Sequence, residues 1–134
     1  MIAFTLLFFT LSVYSQAPYK GVAYENLSSK VDEYNEDLPI VFSSDLVFVN
    51  MELTDNNLIL NYKISDNQLS GFNSKSWKKV YTFDMKYDEN ITELLMDCYF
   101  AKVQLVYRFK GTSNKVPSRD LVFSVKDLKK ILDL

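Results

Sequence analysis

Two β-strands and the turn that joins them are encoded by residues 47–64, VFVNMELTDNNLILNYKI. Apolar and polar residues alternate in both halves, which is typical of strands with one buried face and one wet face. Asp55-Asn56-Asn57 supplies the turn, because Asn and Asp tolerate left-handed backbone geometry. We expect the buried face to carry Val47, Val49, Met51, Leu53, Leu58, Leu60, Tyr62 and Ile64. This β-hairpin is the clearest element of the sequence.

An amphipathic helix precedes the hairpin. Apolar residues recur at spacings of three and four from Tyr24 to Leu38, and the opposite face is mostly acidic. Pro39 ends this helix, because a proline ring disfavours the helical conformation of the residue before it.

Three more strands follow the hairpin. Period-two alternation of apolar residues predicts them over residues 80–87, 103–109 and 121–125. The first of these places Tyr81, Phe83, Met85 and Tyr87 on one face. The polar segments 66–76 and 111–118 are predicted to be loops.

Two further helices are indicated by capping residues. Asn90-Ile91-Thr92-Glu93 is a variant of the capping box, and the helix that it opens carries Cys98 on its apolar stripe. Ser124 and Asp127 predict the start of a short terminal helix over residues 126–132.

The order of elements predicts an α+β fold. We expect a single antiparallel-rich sheet of about five strands, with an N-terminal helix, a middle helix and a short C-terminal helix. The first helix, Leu38-Pro39, the hairpin and a cysteine before a second hairpin resemble small exported bacterial domains of unknown function with a cystatin-like layout. This resemblance implies no functional residue. The Gln-x-Val-x-Gly stretch of true cystatins is absent.

The first fifteen residues predict an export signal. MIAFTLLFFTLSVYS is apolar and uncharged, and Val13 and Ser15 provide short side chains at a cleavage point after Ser15. The run is shorter than the roughly 20 residues of a membrane-spanning helix. We therefore divide the chain into a signal peptide, residues 1–15, and one domain, residues 16–134, which is periplasmic or secreted and has no transmembrane anchor. The composition, poor in Gly and Pro and rich in Asn, Lys, Ile, Phe and Tyr, is typical of an AT-rich Gram-negative bacterium.

Catalytic chemistry finds little support in the composition. The chain has no histidine, so it lacks the commonest proton shuttle and metal ligand. Cys98, the single cysteine, is expected to be a buried small hydrophobe. Carboxylates such as Asp84, Asp88 and Asp97 remain, but their spacing selects no pair. We expect no enzyme activity, no metal and no cofactor.

Charge is unevenly distributed along the chain. Residues 25–55 hold eight acidic residues against Lys30, and residues 102–130 hold eight basic residues against Asp120 and Asp127. Either the two segments neutralise each other, which we expect, or the domain has an acidic side and a basic side. The net charge of −2 gives no concentrated basic stripe for nucleic acid.

Two functions follow from these features. The leading one is a non-catalytic exported domain that binds an unknown protein partner, such as an inhibitor or an immunity-type protein, through the terminal lysines Lys126, Lys129 and Lys130. The alternative is a carrier of a small ligand or lipid, with an apolar pocket between sheet and helix lined by Tyr62, Tyr81, Phe83 and Tyr107.

Overall fold

The computed structural model describes residues 20–134, so the predicted signal peptide and its cleavage point lie outside the described residues. The helices are α1 (Lys20–Glu36), α2 (Asp66–Ser70), α3 (Ser74–Tyr87), α4 (Glu89–Ala101) and α5 (Val125–Ile131). The strands are β1 (Ile40–Ser43), β2 (Leu46–Leu53), β3 (Asn57–Ile64), β4 (Gln104–Gly111) and β5 (Arg119–Phe123).

The five strands form one sheet in the order β1-β2-β3-β4-β5. Neighbouring strands are antiparallel except β3 and β4, which are parallel and pair from Asn57 with Gln104 to Ile64 with Gly111. A parallel pair needs a crossover connection, and α2, α3 and α4 supply it. The predicted α+β fold with its antiparallel-rich sheet is confirmed.

Helices cover one face of the sheet and form the core with it. On β3 and β4, alternate residues point to this face, and Leu58, Leu60, Leu105 and Phe109 are buried there. Helix α1 packs on β2 and on α4, whereas α3 and α5 pack near β5. The helical layer therefore has an α1 side and an α3–α5 side, with α4 between them.

The opposite face of the sheet carries a polar network. Asn61 Nδ2 donates to Asn50 Oδ1 and to Glu52 Oε1, each at 2.7 Å. Arg108 makes a two-pronged ion pair with Asp120, at 2.9 and 3.0 Å. These pairs satisfy polar groups on the face that the helices leave uncovered.

The predicted hairpin is present, but the side-chain pattern of β2 differs from the expected one. Pairing skips a residue between Phe48 and Asn50, so Val49 is the extra residue of a β-bulge. Phe48 pairs with Tyr62 and Met51 with Leu60, so both face the core. The expectation that Val47 and Val49 share this face is therefore wrong, because a bulge shifts the alternation by one position.

The strand predicted over residues 80–87 is wrong. These residues form the second half of helix α3, which Asn73 caps by accepting the Ser76 amide at 3.0 Å. The inward residues Trp77, Tyr81 and Met85 follow a spacing of four, which is helical. Apolar residues at every second position fitted a strand equally well, and the missed cap is the local feature that decides between the two.

The remaining elements agree with the predictions in type but not always in extent. Helix α4 is capped by Asp88, which accepts the Asn90 amide at 3.0 Å, so Asn90 is not the cap. Strand β5 ends at Phe123, and α5 begins with the predicted capping box of Ser124 and Asp127. Strand β1 and the short helix α2 were not predicted.

Candidate functional site

A cavity of about 200 Å³ lies between the sheet and the helices. Its walls come from β3, β4, α3 and the start of α4, with the lining residues Tyr62, Tyr81, Asp84, Met85, Asp88, Ile91 and Tyr107. Three of the four tyrosines and phenylalanines predicted to line a pocket are therefore brought together. Phe83 is not, because on a helix it lies on the face opposite to Met85 and Tyr81.

The three tyrosine rings enclose the cavity at defined angles. Tyr81 meets Tyr107 edge-on, with ring centroids 4.9 Å apart and planes at 84°. Tyr62 lies more nearly parallel to Tyr107, with centroids 6.0 Å apart and planes at 25°. The rings therefore pack on one another, and Tyr62 also stacks on Phe48 with centroids 4.6 Å apart.

Burial keeps these tyrosines neutral. Desolvation raises the pKa of Tyr62 to about 12, and it also raises the pKa of Tyr81 and of Tyr107. Within residues 20–134, none of the three hydroxyls has a hydrogen-bond partner, and no fully buried side-chain polar atom is left unsatisfied. The hydroxyls are therefore accessible through the cavity.

Asp84 and Asp88 supply the charged groups of the cavity lining. The negative charge of Asp84 adds to burial in raising the pKa of Tyr81, and that of Asp88 adds to burial at Tyr107. Asp97, the third carboxylate that the sequence singled out, lies elsewhere, where its Oδ2 is 2.5 Å from Lys30 Nζ between α1 and α4.

A second feature is an apolar stripe on the outer side of α3, which we define as Val80, Phe83 and Tyr87. Their exposed fractions are 57%, 63% and 74%. The rings of Phe83 and Tyr87 pack on each other with centroids 4.8 Å apart, not on the core. Exposed aromatic groups of this kind are typical of interaction surfaces. The sequence did not predict this stripe, because the strand interpretation placed Phe83 and Tyr87 beside the inward residues.

The lysines predicted to bind a partner lie on α5, next to this helix. Lys126, Lys129 and Lys130 are all exposed. Asp127, from the same short helix, pairs with Lys78 of α3 at 2.8 Å. The pairing holds the two helices together through the Lys78 side of α3, and the apolar stripe lies about half a turn around α3 from Lys78.

The charge asymmetry of the sequence persists in three dimensions. The ion pairs within residues 20–134 join Lys30 to Glu93 and Asp97, Lys78 to Asp127, and Arg108 to Asp120. None of them links the acidic segment 25–55 to the basic segment 102–130, although Glu52 lies within electrostatic range of Arg108. Acidic α1 and basic α5 lie on different sides of the helical layer. The ion pairs of the described residues therefore do not neutralise one segment with the other.

Reactive groups are scarce in the described part of the chain. Cys98 is fully buried, and desolvation raises the pKa of its thiol to about 12. Among residues 20–134, no group of three or more Cys, Asp or Glu side chains is placed to hold a metal ion.

The predicted turn Asp55-Asn56-Asn57 is fixed by Thr54, which donates its amide to Asn57 O at 2.8 Å.

These elements define a class of protein, a small α+β domain with one mixed sheet and one covered face. No family model matches the chain, and no curated protein matches it in sequence. Among solved structures, a protein from Pseudomonas aeruginosa that is provisionally named as secreted is similar, with a TM-score of 0.65 and 14% identity. The match covers 84% of this chain and 98% of that chain.

At this identity the likeness demonstrates the fold alone. It agrees with the expected resemblance to small bacterial α+β domains, and the neighbour's name makes no reference to cystatins. None of the helices within residues 20–134 is long and apolar enough to cross a membrane.

Proposed function

We propose that this chain is an exported, non-catalytic domain that holds an acidic protein partner against helices α3 and α5. The observation that carries the proposal is the exposed apolar stripe of Val80, Phe83 and Tyr87 on α3, a helix that an ion pair joins to the lysine-bearing α5. A few residues, often aromatic, carry most of the binding free energy in protein interfaces, and surrounding charges accelerate association.

Charge selects the partner. Lys126, Lys129 and Lys130 of α5 are exposed, and Lys75 and Lys79 are exposed on α3. The side formed by these two helices therefore attracts an acidic protein, and the acidic α1 lies away from it. Export into the periplasm or beyond is supported by the apolar leader of residues 1–15 and by the provisional name of the Pseudomonas aeruginosa neighbour.

The alternative of a lipid carrier has less support. The cavity of about 200 Å³ is smaller than the roughly 300–1,000 Å³ of typical ligand pockets. Its three tyrosine hydroxyls and two carboxylates also suit an acyl chain poorly.

Capture from the native envelope fraction tests the proposal. The tagged mature domain should retain one acidic protein, and retention should weaken as the Debye length falls from about 10 Å at 0.1 M salt to about 3 Å at 1 M. Replacing Phe83 and Tyr87 with serine, or Lys126, Lys129 and Lys130 with glutamate, should abolish retention and leave the circular dichroism spectrum unchanged.

A matched control reverses the charge of three exposed lysines outside α3 and α5, Lys63, Lys110 and Lys115. This variant should retain the partner. Equal loss in the control and in the α5 variant would refute the specific surface. A small molecule that co-purifies stoichiometrically without any retained protein would favour the carrier instead.

A further inference from the structure

Strand β1 forms an open edge of the sheet. It pairs with β2 on one side, and within residues 20–134 no strand pairs with its other side. All four of its residues are exposed, and the exposed fractions of Ile40, Val41 and Phe42 are 41%, 68% and 59%. The helices contact mainly β2, β4 and β5, so the helical layer leaves β1 uncovered. Three consecutive apolar side chains therefore face solvent at this edge.

The free side of β1 selects the shape of an occupant. An edge strand presents unpaired backbone N–H and C=O groups along its free side. An extended chain can pair with this row as an additional strand, whereas a helix has already used its own backbone groups. Ile40 pairs with Phe48, which faces the core, and Val41 points to the opposite face of the sheet. A strand added beside β1 therefore contacts apolar side chains on both faces.

The opposite edge of the sheet is protected by charge. Strand β5 includes Arg119 and Asp120, and charged side chains on an edge strand disfavour pairing with another chain. From Ile40 to Ser44 the β1 edge has no charged residue. Pro39 has no backbone N–H, so it confines added pairing to the residues after it. The edge of β1 is thus short, but it lacks the charges that protect β5.

The charges around β1 select the partner. Asp37 precedes the strand and Asp45 follows it, both are exposed, and neither makes an ion pair within residues 20–134. No lysine or arginine occurs in residues 31–62. A second copy of β1, paired antiparallel about Val41, would bring the Asp37 end of one chain to the Asp45 end of the other, where like charges repel. An occupant with basic residues at its ends is attracted at both places instead.

From the open edge and its acidic ends we propose that β1 binds an extended segment of a partner protein that is apolar in the middle and basic at both ends. The segment adds to the five-stranded sheet as a further strand beside Ile40–Ser43. This edge lies beyond β2, the strand on which α1 packs, and is separate from α3 and α5. The proposal therefore does not depend on the function proposed above.

A peptide titration followed by NMR tests the proposal. The probe is the blocked peptide Lys-Thr-Val-Thr-Val-Thr-Lys, and its matched control has glutamate in place of both lysines. The lysine peptide should bind saturably, and about tenfold more tightly than the glutamate peptide at low salt. It should slow hydrogen exchange of the β1 amides and give backbone NOE contacts with β1. Absence of binding by the lysine peptide, or equal binding of the two peptides, overturns the proposal.

Two valine substitutions place the site. Val41→Lys introduces a charge into the β1 edge and should abolish binding of the lysine peptide. Val122→Lys makes the same change at an exposed valine of β5, the opposite edge strand, and should bind the peptide normally. Loss of binding in the Val122 variant, or retained binding in the Val41 variant, overturns the assignment to β1.

The acidic ends are tested separately. Asp37→Asn with Asp45→Asn should weaken binding of the lysine peptide about five- to tenfold, because two attractions are removed. Asp55→Asn with Asp133→Asn, two exposed carboxylates outside the β1 edge, is the matched control and should bind normally. Unchanged binding in the Asp37 and Asp45 variant overturns the choice of a basic partner.

Sedimentation of the free domain identifies the competing occupant. The domain should remain monomeric at the concentrations of the titration. A concentration-dependent dimer that Val41→Lys dissociates would overturn the proposal, because a second copy would then occupy the edge. Capture of an acidic protein in the pull-down uses α3 and α5, and Val41→Lys should leave it unchanged, so the two proposals fail separately.

Discussion

Lys78 Nζ lies 2.8 Å from Asp127 Oδ2, and this ion pair joins the first half of α3 to the first turn of α5. The same carboxylate accepts the Ser124 amide at 2.9 Å within the capping box. Burial opposes the ionisation of Asp127, but the hydrogen bonds from Lys78 and Ser124 outweigh it and lower the pKa of the carboxyl. The Asp127 side chain thus stabilises the start of α5 and also joins α5 to α3.

The first prediction concerns the pH dependence of this contact. Because the folded-state pKa of Asp127 is lowered, its stabilisation is present above the unfolded value of about 3.9 and is lost as the pH falls through the folded-state pKa. Asp127→Asn should lower the free energy of unfolding at neutral pH by about 0.5–1 kcal/mol, the range for a screened pair and a cap. Urea unfolding at several pH values should find the difference vanishing in strong acid. Asp32→Asn, at an exposed position of α1, is the control and should behave like the wild type throughout.

The second prediction separates the two faces of α3. Met85 is 4% exposed, so Met85→Ala should cost about 2–4 kcal/mol of unfolding free energy. Phe83 lies on the exposed stripe, so Phe83→Ser should change the unfolding free energy by no more than about 0.5 kcal/mol. A strand over residues 80–87 would instead place Phe83 and Met85 on one face, and similar losses for both substitutions would contradict the helix.

The third prediction concerns Cys98. Burial, with a smaller contribution from the charge of Asp97, raises the pKa of the thiol to about 12, so almost no thiolate forms between neutral pH and pH 9. A thiol reagent should therefore label the native protein slowly across this range and label the denatured protein at once. Cys98→Asp should destabilise far more than Cys98→Ala, because a carboxylate there must be desolvated. Rapid labelling of native protein would contradict the buried position.

The fourth prediction concerns the close approach of β4 to α2. Asp66 accepts hydrogen bonds from the hydroxyl and the amide of Ser113, and a Cβ at Gly111 would clash with Asp66 Oδ1. Gly111→Ala should therefore displace the Asp66 carboxylate and cost about 1–3 kcal/mol. The cost should be smaller in an Asp66→Ala background, since the clash is then removed. A double-mutant cycle from thermal unfolding measures the coupling free energy between the two substitutions. Additive effects would mean that the two residues do not interact.

The fifth prediction concerns processing. Signal peptidase should cut after Ser15, because Val13 and Ser15 present short side chains, and Gln16 should become the amino terminus. The intact mass of the exported protein decides the point. A product that retains Met1 would disprove the signal peptide.

Elements with a single consistent periodicity could be predicted from the sequence. The hairpin, α1 and β4 each fit only one period, so their type was predicted correctly. The bulge at Val49 nevertheless removes Val47 and Val49 from the expected buried face, and Tyr34 of α1 is exposed. The segment 80–87 fits two periods, and the Asn73 cap together with the contacts of Tyr81 and Met85 with the core decides between them. Strand β1 was not predicted because its four residues follow Pro39 directly and all are exposed, so the sequence has no apolar–polar alternation there.

The candidate site was partly predictable for the same reason. Tyr62 and Tyr107 lie on strands whose core-facing residues follow from alternation, so both could be expected on the same face of the sheet. Asp84 and Asp88 join them only when α3 is a helix, and the exposure of Phe83 and Tyr87 has the same cause. The position of all four side chains thus depended on whether residues 80–87 follow the helical period or the strand period.

The parallel pairing of β3 with β4 also determines when the chain can fold. Asn57 pairs with Gln104, so the centre of the sheet joins residues that are far apart in sequence, and contacts of this kind slow folding because a long loop must close first. Until β4 has been synthesised, Leu58 and Leu60 lack the strand that completes their side of the core. A chain with this topology completes its core only after most of its length has left the ribosome, and the export proposed above requires an unfolded chain to enter a protein-conducting pore.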